Sequence, residues 1–152
     1  MPRLVMVGLS HHAAPLEIRE RVAVDQAAWR AQAPEQFSTV LLSTCNRVEV
    51  YAWTDKRSQP AIRLLQRRLA KAAGIELAEL QPYLKTAVGR EAVLHLVRVA
   101  SGLDSLVVGE EQIRGQVRNA LRSAEECQPG LPASLRGIFK RAGESARRVR
   151  SA

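Results

Sequence analysis

Apolar residues along this chain follow a period of two in its first half and a helical period in its second. Arg3 to Ser10 alternates weakly and is rich in Val, Leu and Met, so it reads as a strand buried on at least one face. Val40-Leu41-Leu42 and Val48-Glu49-Val50-Tyr51-Ala52-Trp53 are further strand-like runs. They flank the small polar segment Ser43-Thr44-Cys45-Asn46-Arg47, which reads as a hairpin turn with Cys45 at its tip. Between the first strand and the hairpin, Pro15 marks a loop. Leu16, Ile18, Val22 and Val24 then stand among charged residues in a helical pattern, and a second short helix runs from Asp25 through Trp29. After the hairpin, Ile62, Leu65, Leu69 and Ala72 form the stripe of a helix that opens near Pro60 and stops at Gly74. Leu80 to Thr86 supplies a short fourth strand through Tyr83-Leu84-Lys85. The resulting β-α-β-β-α-β order predicts an α+β fold with a ferredoxin-like sheet.

From Ala87 onward the pattern predicts helices alone. Over 87–101, Gly89, Val93, Leu96, Val97 and Ala100 make one stripe, with Val88, Ala92, His95 and Val99 beside it. Gly109-Glu110-Glu111 opens a helix whose buried positions are Ile113, Val117, Leu121 and Ala124. Pro132 starts a last one with Leu135, Ile138, Phe139, Ala142 and Val149 at helical spacing. The expected organisation is a sheet subdomain over 1–86 followed by a helical subdomain over 87–152. The chain finishes inside a helical pattern without a stop signal, so a longer natural polypeptide is expected.

Charge adds a partner class to this picture. Twenty-three basic against fifteen acidic side chains give a net +8, which points to a polyanion such as RNA. Arg63, Arg67, Arg68 and Lys71 make the outer face of one helix basic, as a phosphate contact or as a solvated face. Cys45 and Cys127 are two cysteines far apart, with neither a disulfide framework nor metal-ligand spacing, so a reducing, cytoplasmic setting is expected. No stretch has the pattern of a signal peptide or the roughly 20 apolar residues of a membrane span.

The candidate chemistry centres on Cys45. A structural cysteine sits in an apolar run, whereas this one lies between Thr44 and Asn46, with Arg47 two residues on. It is either an inert thiol in a packed turn or a presented nucleophile, with Arg47 activating it or holding an anionic substrate beside it. His95, on an apolar face, is either a core group satisfied by a hydrogen bond or a general acid or base near Cys45. His11 and His12 read as loop histidines or as groups for chemistry or RNA. Glu110 and Gln112 face a ligand or simply complement the helix dipole.

Four segments together resemble the N-terminal catalytic domain of the glutamyl-tRNA reductase family. They are GLSHHAAPLEIRE at Gly8 to Glu20, STCNRVEVYA at Ser43 to Ala52, HLVRVASGLDSLVVGEEQIRGQV at His95 to Val117, and the basic end from Phe139. The family usually has Asn at position 10, Lys at 12 and Thr at 13 where this chain has Ser10, His12 and Ala13, and Pro or Asp where it has Glu111. The resemblance implies that Cys45 attacks the ester of glutamyl-tRNA to give a thioester, which NADPH reduces to glutamate-1-semialdehyde for tetrapyrrole synthesis. It implies that His95 is the active-site histidine and that Thr44, Arg47, Ser105 and Gln112, with Glu110 beside them, line the glutamate pocket. It further implies a separate NADPH-binding domain, a homodimer made through a C-terminal domain, and contact with the next enzyme of the pathway. No G-x-G-x-x-G turn occurs in the chain, so no NADPH is expected to bind this fragment. The competing reading is a basic RNA-binding module of the ferredoxin-like class without chemistry, although the aromatics such a sheet uses are nearly absent.

Overall fold

The computed structural model describes residues 1–10, 13–102 and 110–151, the side chains at 110, 111 and 146–151 excepted. Among the described residues, β1 (Arg3–Ser10), β2 (Ser38–Ser43), β3 (Arg47–Thr54) and β4 (Lys85–Val88) form one sheet in the order β2-β3-β1-β4. Each neighbouring pair is antiparallel. This is the ferredoxin-like order that the alternating runs imply, because the β2–β3 hairpin places β3 beside β1 and the next crossover returns β4 to β1's other side.

The strands are apolar on both sides because helices cover both sides. Val5, Val7, Leu9, Leu41, Val48, Val50 and Ala52 pack beneath α1 (Leu16–Arg21), α2 (Gln26–Gln32) and α3 (Ser58–Ala73), which contribute Ile18, Trp29, Ile62, Leu65 and Leu69. Leu4, Met6, Val40, Leu42 and Tyr51 point the other way. They meet α5 (Arg90–Ser101), α6 (Glu110–Cys127) and α7 (Ala133–Ser151) through Leu96, Val99, Val117, Leu121, Leu135 and Phe139. Tyr51 and Phe139 meet edge to face, with ring centroids 5.5 Å apart and planes at 87°.

The fourth strand differs from the expectation. Leu77–Leu80 forms α4 and Gln81–Tyr83 a 3-10 turn, so β4 is Lys85–Val88 instead of 80–86, and α5 starts at Arg90 instead of Ala87. Pro82 has no N–H for a ladder and suits the turn. Gly89 then redirects the chain at φ 63°, ψ −128°, a conformation open to glycine, while its N–H donates to the Leu4 carbonyl at 2.7 Å. That junction aims α5, and with it His95, back across the sheet.

Strand β2 lies at an edge, and side chains occupy three of its outer backbone groups. The Gln128 side chain brackets Thr39, accepting from its N–H at 3.1 Å and donating to its carbonyl at 2.8 Å. Gln26 Nε2 donates to the Leu41 carbonyl at 2.9 Å, and Trp29 Nε1 donates to Thr39 Oγ1 at 2.9 Å. These bonds tie α2 and the end of α6 to the strand that leads into the hairpin turn.

Candidate active site

The turn between β2 and β3 is held by its own backbone. Thr44 N–H donates to the Arg47 carbonyl at 2.8 Å, and Asn46 N–H donates to Thr44 Oγ1 at 3.1 Å. Those two bonds fix the residues on either side of Cys45, which is a free and exposed thiol. It opens onto a cleft of about 560 Å³ whose walls include Ser43, Thr44, Asn46 and Arg47 from the hairpin and Leu16, Arg19, Val22 and Gln26 from the α1–α2 region. The thiol is therefore not packed into the interior.

Immediately behind the turn, β3 carries charge into the interior. Arg47, Glu49 and Tyr51 alternate onto the face covered by α5–α7, and all three are buried. The Glu49 carboxylate is their centre. Its Oε2 accepts from Arg47 Nη1 at 3.2 Å and from His95 Nε2 at 2.6 Å, and its Oε1 accepts from the Tyr51 hydroxyl at 2.8 Å. A carboxylate removed from water is tolerated only when its lone pairs are satisfied, and three converging donors achieve that.

Gly8 makes room for this arrangement. It is paired with Glu49 across β1 and β3, and a methyl group at position 8 would fall 2.8 Å from Glu49 Cγ and 2.4 Å from the Val48 carbonyl oxygen. The tightest of these contacts are with the β3 backbone, so the absence of a side chain at Gly8 lets β1 and β3 approach here.

The residues singled out by sequence separate into groups. Thr44, Cys45 and Arg47 share the cleft. His95 joins them through Glu49, and its side chain is 26% exposed, so the ring is both anchored and accessible. Arg47 departs from the picture of a guanidinium presented beside the thiol, since its side chain is only 1% exposed and is engaged by Glu49. Gln112 is exposed near the start of α6. Ser105, His11 and His12 lie outside the described residues, as does the side chain of Glu110, whose backbone opens α6. Glu49 itself escaped sequence reasoning. Its signal was available: Val48, Val50 and Ala52 claim one face of β3, which leaves Glu49 on a face that the apolar stripes of the later helices must cover.

Among the described residues no group of three His, Cys, Asp or Glu side chains is arranged to hold a metal ion, and no helix is long and apolar enough to cross a membrane. The described sheet has no parallel strand pair.

Comparison with known proteins agrees with this arrangement. Residues 7–152 match the family model described as the N-terminal domain of glutamyl-tRNAGlu reductase. Among curated relatives, the glutamyl-tRNA reductase of Synechococcus sp. (strain JA-3-3Ab) is 42% identical over 97% of this chain and 35% of its own length. That of Neisseria gonorrhoeae (strain NCCP11945) is 41% identical over 98% of this chain and 36% of its own. The solved structure of glutamyl-tRNA reductase from Methanopyrus kandleri superposes with a TM-score of 0.76 at 33% identity, covering 97% of this chain and 34% of that one. The chain therefore spans about a third of the length of the relatives it matches.

Proposed function

The chain belongs to the family of glutamyl-tRNA reductase N-terminal domains, and from that premise we propose that it carries out the acyl transfer of a tRNA-dependent reduction. The thiolate of Cys45 attacks the carbonyl carbon of the ester joining glutamate to the tRNA end. A carbon–sulfur bond forms, the ester carbon–oxygen bond breaks, and the departing ribose oxygen takes up a proton. His95 is assigned to relay that proton, with Glu49 holding its ring in one orientation. Thr44, Arg47, Ser105, Glu110 and Gln112 are assigned to the glutamate pocket, Arg47 from a buried position behind the turn where Glu49 already engages its guanidinium. The helical segment 87–152 completes the site by supplying His95 and the last three of those residues.

NADPH, where it is bound, would supply the hydride that converts such a thioester to glutamate-1-semialdehyde, the entry to tetrapyrrole synthesis. The chemistry assigned to this chain is the acyl transfer that forms the thioester. Two free cysteines suit a reducing, cytoplasmic setting.

The observation that carries the reading is a free thiol at the tip of a braced turn, exposed in a cleft, with an anchored imidazole joined to the same turn through Arg47 and Glu49. Mass spectrometry after mixing the chain with glutamyl-tRNA tests it. Glutamate attached to Cys45, and absent from Cys45→Ser, is the expected result. RNA binding without acylation would favour the basic RNA-binding module.

A further inference from the structure

Tyr51 stands where the polar end of the β3 face meets the apolar core, and the acyl transfer described above gives its hydroxyl no task. Its backbone is paired on both sides, with Met6 of β1 and Val40 of β2. Its side chain is fully buried, and Phe139 of α7 braces the ring edge to face. Phenylalanine would fill that place in the core as well, without a hydroxyl to desolvate. The hydroxyl is aimed instead at one atom, Glu49 Oε1, at 2.8 Å.

The two oxygens of Glu49 are therefore used differently. Oε1 accepts from Tyr51, whereas Oε2 lies 3.2 Å from Arg47 Nη1 and 2.6 Å from His95 Nε2. The last torsion of a glutamate is soft, and a guanidinium beside a carboxylate favours a fork that takes both oxygens. Such a fork would turn the Glu49 carboxylate toward Arg47 and withdraw Oε2 from the imidazole. A hydroxyl already seated on Oε1 opposes that turn. We infer that Tyr51 is a positioning residue for the acyl transfer: its hydroxyl pins Oε1, keeps Glu49 from closing into a two-point pair with Arg47, and so reserves Oε2 for His95. The role rests on the acyl-transfer reading above and deepens it, because Tyr51 acts on the reaction through Glu49 and the His95 ring.

The test combines NMR of the His95 ring with single-turnover acylation of Cys45 by glutamyl-tRNA, in wild type, Tyr51→Phe and Leu65→Ala. Tyr51→Phe keeps a ring against Phe139 and removes only the hydroxyl, so the His95 ring resonances should shift. Its acylation rate at saturating glutamyl-tRNA should fall roughly tenfold, the size of one lost bond to a charged acceptor, with half-saturation unchanged. Leu65→Ala weakens the opposite face and should alter neither readout per folded molecule. A double-mutant cycle then checks the mechanism. In an Arg47→Lys background, where a point charge replaces the fork, loss of the hydroxyl should move the His95 signals less than it does beside arginine. Equal displacement in the two backgrounds, His95 signals that stay in place in Tyr51→Phe, or a rate that does not fall overturns the assignment. A wild type that is never acylated removes the acyl-transfer reading and this role with it, whereas an acylated wild type and an unaffected Tyr51→Phe remove this role alone.

Discussion

The two faces of the sheet are covered alike and filled differently. Under α1–α3 the strands bury only aliphatic side chains at their centre, with Val5, Val7, Val50 and Ala52 fully sealed. Under α5–α7 an equally apolar centre gives way, toward the hairpin turn, to Arg47, Glu49 and the phenolic end of Tyr51. An aliphatic packing of the same volume would serve stability as well or better, because a buried ion pair loses hydration that its mutual attraction only partly returns. The contrast teaches that the polar end is retained for something other than holding the fold. It lies directly behind the only stretch of the described sheet that presents a thiol.

Substitutions that separate the faces should have effects of different kinds. Glu49→Ala strips the shared acceptor from Arg47, Tyr51 and His95 and leaves a buried guanidinium uncompensated. Urea unfolding should show a loss of about 3–5 kcal/mol, and the folded fraction should lose thioester formation as well. Leu65→Ala on the opposite face should cost about 2–5 kcal/mol through the cavity it leaves, yet acylation per folded molecule should persist. If both variants lost acylation equally, the two faces would not differ in role. Gly8→Ala should fall below these, at about 1–3 kcal/mol, because a methyl group meets the β3 backbone at Val48 and Glu49 and pushes the two strands apart. Its signature is a displaced His95 ring resonance in NMR spectra, which Leu65→Ala should not produce.

The smallest effect concerns the periphery of the apolar face. Arg21 of α1 and Glu79 of α4 form an exposed ion pair, and the hydrogen bond from Arg21 holds the Glu79 carboxyl below its usual range. A depressed carboxyl adds stability that is present above its unfolded value of about 4.5 and is lost as the pH falls through its lower folded value. Thermal melts of wild type and Glu79→Gln should differ slightly at neutral pH. They should converge on acidification, and also in high salt.

Most of the architecture could be read from the chain because period-two runs, a compact polar turn and helical stripes each have a local cause. The hairpin, the position of Cys45 at its tip and the stripes of α3 and α6 needed no distant information. The fourth strand was harder, since Leu77–Leu80 and Lys85–Val88 are both short apolar segments, and only Pro82 and the conformation of Gly89 decide which is extended. Glu49 alternates with the apolar Val48 and Val50 along β3. Its burial depends on α5–α7 folding back over that face, a long-range event that β3 alone does not encode. The bracket of Gln128 on Thr39 is likewise invisible in sequence, because 89 residues separate the partners.

That bracket has a consequence for growth by strand addition. An uncovered outer strand is a template on which a second chain can continue the ladder, the route to fibres and swapped dimers. Here the Gln128 amide imitates one rung at Thr39, and Gln26 takes the next carbonyl at Leu41. A newcomer would have to evict both glutamines to continue the ladder at Thr39 and at the Leu41 carbonyl. Crowded preparations of this chain should therefore resist polymerising along β2, and replacing both glutamines with alanine should release that resistance.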